Sequence, residues 1–318
     1  PVGDAYDYHT TTSRDALHDL NELKMVIDKR MGGAKDLDDF LRKAHFIDYE
    51  GTRAMGEAHR VNVPRSTGII QWMLNSAWPS LYWQMYDWYM VPVSSYWSVK
   101  KGCAPQQLIY NYGDEKVYAV NDEKEDRELK ARMKIYGLDG KILSDAQCTV
   151  EMTMGCSKPV FETHLSESSP VQFVFLSLED GKGNVVSRND YVLAEVKDKH
   201  DWSKYRWWRT QMESYADFSA LDDLAPAEVA VSVSKENTEH GEMPCVTLEN
   251  KSDVVAFFVR MDIKYRDGEI LPALWSDNLV TLQPGETLTV NTGAMIINGI
   301  DAELVISGWN VAEQVIIL

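Results

Sequence analysis

The sequence predicts a mixed fold: a helical region with one strand, of the kind found in an α/β barrel or a doubly wound sheet, followed by two immunoglobulin-like β-sandwiches. Three observations carry this. Residues 1–105 place apolar side chains in steps of three and four, residues 106–200 alternate with period two between turn signals, and residues 226–318 alternate again. At 318 residues the chain is also longer than one ordinary domain.

In the first region, Leu37, Phe40, Leu41, Ala44, Ile47, Ala54 and Ala58 mark one face of a long helix. Asp36, Asp38 and Asp39 suit its first turn, and Val63-Pro64 breaks it near Asn62. The apolar run Ile69 to Leu74 reads as a short buried strand, and a further helix is expected around Tyr96 to Gly102. In the second region, Lys116 to Val120, Leu129 to Tyr136, Ile142 to Met152, Val171 to Leu178 and Val185 to Val196 read as strands, with turns at Asp139-Gly140 and Asp180 to Asn184. The third region repeats the pattern through Val229 to Val233, Val254 to Tyr265 and Leu288 to Val290, with turns at Arg266-Asp267-Gly268 and Pro284-Gly285. Residues 201–225 form an aromatic linker. Trp202, Tyr205, Trp207 and Trp208 within it are expected to cement the domains, with a sugar-stacking platform as the sharper alternative.

Charge and motifs exclude several function classes. A net charge of −17 argues against nucleic acid, whose phosphates need Lys and Arg to displace counterions. An acidic field instead favours cationic ligands. No run of eighteen apolar residues is present, so no membrane span is expected. The seven histidines form no H-x-x-x-H or H-E-x-x-H set, Asp180 to Asn184 lacks the ligand spacing of a calcium loop, and phosphate and dinucleotide fingerprints are missing. Neither a metal nor another cofactor is expected.

The stretch Ser66 to Met90, STGIIQWMLNSAWPSLYWQMYDWYM, is the densest chemical feature. It spends four tryptophans and three tyrosines around Asn75 with a single acidic residue, Asp87. Pyranose rings present C–H faces that stack on aromatic planes, while their hydroxyls need directional partners. Trp72-Met73-Leu74-Asn75, Ala77-Trp78-Pro79-Ser80, Trp83-Gln84 and Tyr86-Asp87 resemble the last barrel strand and following loop of glycoside hydrolase family 2, in its exo-β-D-glucosaminidase branch, with the endo-β-mannosidases as relatives. Ala44 to Ala58 and Tyr215-Ala216-Asp217-Phe218-Ser219, with Leu221 and Leu224, extend the resemblance across all three regions.

The resemblance implies that residues 1–105 are the C-terminal portion of a (β/α)8 TIM barrel, preceding the two immunoglobulin-like β-sandwich domains. It also implies a retaining β-glycosidase with two carboxylates about 5 Å apart. In the family both glutamates lie on earlier barrel strands. A barrel needs on the order of 200 residues, so this chain is expected to be the C-terminal segment of a larger enzyme, inactive alone, and to be stabilised by the upstream half of the parent or by self-association. Glu50 and Glu57 share a helix face and are expected to be solvated or structural.

By the same resemblance, substrate binding falls to four residues. Trp72 forms the wall or floor of the terminal sugar subsite, and Asn75 binds a sugar hydroxyl or orients a catalytic residue. Trp78 stands at the rim and Asp87 at the edge. Trp83, Tyr86, Trp88 and Tyr89 are expected to pack beneath the loop. The implied partner is a β-linked oligosaccharide or polysaccharide carrying terminal glucosamine. The alternatives are a β-mannosidase or endo-β-mannosidase on glycoprotein glycans, or a non-catalytic carbohydrate-binding or scaffolding module.

Overall fold

The computed structural model describes residues 9, 21–81, 84–206, 210–238, 241–266, 268–294 and 301–318. Two compact units emerge, one formed by Pro1–Gly137 with Ile142–Asp223 and the other by Leu138–Lys141 with Leu224–Leu318.

In the first unit the described helices are α1 (Asn21–Met31), α2 (Leu37–Val61) and α3 (Ser94–Gly102). Helix α2 starts where the aspartates place it: the Asp36 side chain accepts the Asp39 backbone N–H at 2.9 Å and caps the first turn. It ends at Asn62, whose amide donates to the Ala58 carbonyl at 2.7 Å ahead of Val63-Pro64. After α1 the chain reverses through Gly32 and Gly33, both at positive φ, the backbone region that glycine enters without a Cβ clash.

The first sandwich packs a three-stranded sheet of order β1-β2-β5 on a four-stranded sheet of order β4-β3-β6-β7. Its strands are β1 (Gln106–Asn111), β2 (Lys116–Asn121), β3 (Arg127–Gly137), β4 (Ile142–Met152), β5 (Cys156–Glu162), β6 (Val171–Glu179) and β7 (Val185–Ala194). Strand β3 shows why the pattern works. Leu129, Ala131, Met133 and Ile135 enter the core, while Arg132, facing outward, pairs with Asp145 on β4 at 2.6 Å. The loop Asp180 to Asn184 is a hairpin turn between β6 and β7, closed by the Asp180 carboxylate on the Lys182 and Asn184 N–H groups.

Buried charges join α2 to this sandwich. Arg60 reaches Asp122 at 2.8 Å and the Gln107 amide oxygen at 2.7 Å, and Arg53 donates to the Asp190 carbonyl. Glu57 accepts from the Tyr191 hydroxyl at 2.7 Å and the Asn189 amide at 2.8 Å. Lys43, fully buried, instead ties α2 to the preceding turn and to the segment after the sandwich, bonding the Gly33 carbonyl at 2.7 Å and Asp222 at 2.7 Å. Removing one member of such a set leaves a buried charge without compensation.

The second unit is another sandwich, built from β10 (Val229–Thr238), β11 (Gly241–Asn250) and β15 (Thr287–Asn291) on one side. The opposing sheet runs β13-β12-β16-β17, from β12 (Ala256–Tyr265), β13 (Gly268–Glu269), β16 (Glu303–Ser307) and β17 (Gln314–Ile317), with β14 (Val280–Leu282) also pairing β12. Val246, Leu248, Phe257, Met261, Leu304 and Ile306 are among its buried side chains.

One expected element is corrected. Ile69 to Leu74 is not a buried strand: Ile70 is 94% exposed, Trp72 74% and Leu74 57%. An apolar run becomes a strand only when a neighbouring strand completes its backbone hydrogen bonds, and no described strand lies beside this one.

Candidate functional site

The segment from Ser66 to Val93 is irregular but pinned. The Leu74 carbonyl accepts the Met85 and Tyr86 N–H groups at 3.0 and 2.9 Å, and Val93 N–H donates to the Met85 carbonyl at 3.0 Å. A buried polar knot holds the turn between. The Gln84 amide donates to Ser76 Oγ at 2.5 Å and to Ser80 Oγ at 3.1 Å, and the two hydroxyls lie 2.6 Å apart. Ser95, in the first turn of α3, donates to the Gln84 carbonyl at 2.9 Å, anchoring the knot to a helix. The sequence hides this because Ser, Ser and Gln carry no apolar signal.

Trp72 and Asn75 sit on the exposed side of that frame. The Asn75 amide lies 3.4 Å from the Ser76 carbonyl, at the long end of a hydrogen bond. Trp78 is half-exposed and meets the His9 ring at 5.5 Å between centroids, tilted by 35°. His9 Nδ1 lies 2.7 Å from the Pro79 carbonyl oxygen, which only accepts, so Nδ1 carries the proton. The His9 carbonyl in turn accepts the Leu81 N–H at 2.8 Å. One residue thus fixes the Trp78 turn from both its backbone and its side chain.

Asp87 folds its own loop. Its Oδ1 accepts the Tyr89 and Val91 N–H groups at 2.8 and 2.9 Å, closing a turn in which Met90 has positive φ. That turn lifts Trp88 and Tyr89 into solvent, where packing beneath the loop was expected; Tyr89 is 76% exposed. Among the described members of that group, Tyr86 packs as expected, 5.1 Å from the Tyr96 ring. Trp83 lies outside the described residues.

Beside the loop, a cavity of about 420 Å³ is lined by Phe40, Leu41, Ala44, Ile47 and Leu81, with Asp48, His45 and Ser94 at its polar end. Ser94 donates to Asp48 at 2.6 Å and approaches His45 Nδ1 at 3.0 Å. With the serine proton on the carboxylate, the set is a helix-start network rather than a nucleophile with its base. Burial pushes the Asp48 carboxyl up, against the pull of the Ser94 hydroxyl.

Glu50 and Glu57 are structural. Glu50 pairs with Arg30 at 3.0 Å, Glu57 belongs to the Tyr191 and Asn189 network, and burial raises both carboxyls against the pull of Arg30 and Arg53 respectively. Among the described residues, no group of three or more His, Cys, Asp or Glu could hold a metal ion. No described helix is long and apolar enough to cross a membrane.

Farther along the first unit, Trp202 and Tyr205 are exposed rather than buried as domain cement. Trp207 and Trp208 lie outside the described residues.

Comparison with known proteins shows what the chain resembles. Residues 207–311 match the family model for the exo-β-D-glucosaminidase Ig-fold domain, and residues 113–198 that for the mannosidase Ig/CBM-like domain. The exo-β-D-glucosaminidase of Arthroderma benhamiae is 33% identical over 97% of this chain and 35% of its own length. The enzyme of that name from Amycolatopsis orientalis is 33% identical over 98% of this chain and 32% of its own length. The crystal structure of the A. orientalis exo-chitosanase CsxA superposes with a TM-score of 0.90 at 31% identity, covering 98% of this chain and 38% of that one. The chain therefore spans about a third of the length of the curated relatives it matches. The helical segment and both sandwiches all fall within the superposed part, and the expected mixed architecture holds.

Proposed function

We infer that this chain, a relative of the exo-β-D-glucosaminidases of glycoside hydrolase family 2 over nearly its whole length, supplies one wall of the sugar site of a retaining β-glycosidase that releases terminal glucosamine from chitosan-type chains. The observation that carries the reading is the exposed set Trp72, Asn75 and Trp78 on a loop held by Ser76, Ser80, Gln84 and His9. Such a frame keeps side chains open to a ligand while limiting the entropy lost when one binds.

In this reading the Trp72 ring stacks on the C–H face of the terminal sugar. The Asn75 amide donates to or accepts from a sugar hydroxyl, Trp78 closes the rim, and Asp87 borders the site through the carboxylate that also folds its turn. The chemistry needs an acid/base and a nucleophile about 5 Å apart. Glu50 and Glu57 are committed to buried pairs, so the reading assigns both catalytic carboxylates to polypeptide beyond these 318 residues. That polypeptide would also cover Ile70 and Leu74, whose exposure is otherwise costly. The net charge of −17 favours a polycationic substrate.

The test is kinetic. In enzyme restored to its full length, Trp72→Ala and Asn75→Ala are expected to lower kcat/KM for an aryl β-glucosaminide at least tenfold, with the wild type preferring that substrate over the β-mannoside and β-galactoside. Unchanged kcat/KM in both variants contradicts the assignment.

A further inference from the structure

The element following the first sandwich carries a second exposed aromatic surface. Strands β8 (Lys199–His200) and β9 (Met212–Ser214) form a two-stranded sheet, and a 3-10 turn, Trp202–Lys204, follows β8. The turn is built rather than loose. Asp201 N–H donates to the Gln211 carbonyl at 2.8 Å, and Lys204 N–H to the Asp201 carbonyl at 3.0 Å. The Asp201 carboxylate accepts both the N–H and the hydroxyl of Ser203, at 3.1 and 2.5 Å, and pairs with Lys204 at 2.8 Å.

On this turn the Trp202 ring lies against His200, with centroids 5.4 Å apart and planes at 28°. One ring face is backed by the imidazole. At 70% exposure the rest of the indole meets water, and Tyr205, three residues on, is 55% exposed. Burying neither ring would be an odd use of two large aromatics in domain cement. A fixed, polar-edged aromatic plane is instead the surface on which a sugar ring stacks, and an ammonium group over an indole face gains a further attraction. The Lys204 and Ser203 hydrogen bonds hold the Asp201 carboxyl down to about 2, so the carboxylate stays ionised in the neutral range and keeps the turn, with its Lys204 pair, fixed under the ring. The preceding 86 residues of sandwich match a family model whose name includes a carbohydrate-binding class.

We propose that Trp202 and Tyr205, on the β8–β9 element, form a binding platform for a chain of β-linked glucosamine units, in addition to the Trp72–Trp78 loop. The platform itself stands on the geometry of this element; the choice of an amino sugar rests on the function proposed above.

Titration calorimetry of the full chain with a glucosamine hexamer tests it. Saturable binding is expected, weakened at least fivefold by Trp202→Ala and by Tyr205→Ala and retained by Trp202→Phe, which keeps an aromatic face. Val315→Ala, at an exposed apolar position of the second unit, is expected to leave this binding unchanged. Absence of saturable binding overturns the platform, as does loss with Trp72→Ala and not with Trp202→Ala; a Trp202 that then proves shielded from aqueous quenchers in the full-length enzyme is a protein contact. Titration with a neutral β-linked glucose hexamer separates the two layers. Equal affinity for it keeps the platform and removes the amino-sugar preference, whereas failure of the Trp72 kinetics leaves the platform result standing.

Discussion

Two stretches of the first unit read alike in sequence and end in opposite environments. In β6, Val171, Phe173, Val174, Leu176 and Leu178 are buried between neighbours on both sides, β3 and β7. In Ile69 to Leu74, an equally apolar run, Ile70 and Trp72 stand in solvent. The difference lies in hydrogen-bonding company rather than in residue type. Strand β6 satisfies its backbone along two antiparallel ladders, while the loop contributes two carbonyls to the Met85 and Tyr86 N–H groups and nothing more regular. Apolar pattern sets what a segment could bury; its partners decide whether it does.

The sharpest way to break that contrast is to truncate one apolar side chain in each. Phe173→Ala is expected to cost about 3–5 kcal/mol, the usual penalty for a fully buried phenylalanine, whereas Ile70→Ala should stay within about 0.5 kcal/mol. Urea unfolding of the two variants measures both, and a comparable loss at Ile70 would mean that the loop is packed in solution.

The next largest effect concerns the polar junction of α2 with the sandwich. Tyr191 donates to Glu57 at 2.7 Å, lies 2.7 Å from the Asn189 amide nitrogen, and accepts the Tyr110 N–H at 3.1 Å. Tyr191→Phe is expected to cost about 1.5–3 kcal/mol, since buried partners lose a charge-assisted bond. A change below about 0.5 kcal/mol by the same unfolding assay would show that water replaces the hydroxyl.

Asp48 gives a smaller, pH-dependent effect. Its carboxyl is raised in the folded state by burial, so the folded form binds a proton more tightly than the unfolded form. Its contribution to stability is fully present below the ordinary carboxylate value near 4 and is lost as pH rises from there through the raised value. Asp48→Asn should therefore flatten part of the decline in melting temperature across that window; parallel profiles for wild type and variant would contradict the assignment.

The smallest effect tests the loop frame itself. His9→Ala removes the Nδ1 bond to Pro79 and is expected to cost about 0.5–1.5 kcal/mol of local order. His9→Asn places an amide donor at the same distance from the backbone and should restore it. Acrylamide quenching of Trp78, isolated as the difference from a Trp78→Phe protein, should rise in the alanine variant and return in the asparagine one. Equal quenching in all three would remove His9 from the frame.

Much of this architecture was legible in the sequence. Helix α2 was bounded by an aspartate cap and a proline, β2, β3 and β4 alternated visibly, and β6 and β12 stood out as apolar runs. Strands β1, β5, β11, β14, β16 and β17 were missed, and the first two show physical reasons. Strand β1 begins Gln106-Gln107, polar residues buried because Asn121, Arg60 and Glu57 supply their partners. Strand β5 contains Pro159, tolerated because β5 is an edge strand. For the proposed site, the motif nominated Trp72, Asn75, Trp78 and Asp87, but the frame that holds them was not readable from it. His9 lies seventy residues from Pro79 in sequence, and no local pattern encodes that meeting. The exposure of Trp88 and Tyr89 was likewise hidden, because it follows from the two backbone bonds that Asp87 makes.

The most direct measurement is hydrolysis of an aryl β-glucosaminide by the purified 318-residue chain, alone and after addition of the remaining polypeptide of its parent. Turnover only after addition, with retention of anomeric configuration, is the predicted result. Equal turnover by the chain alone would contradict it, because a catalytic carboxylate pair would then lie within these residues.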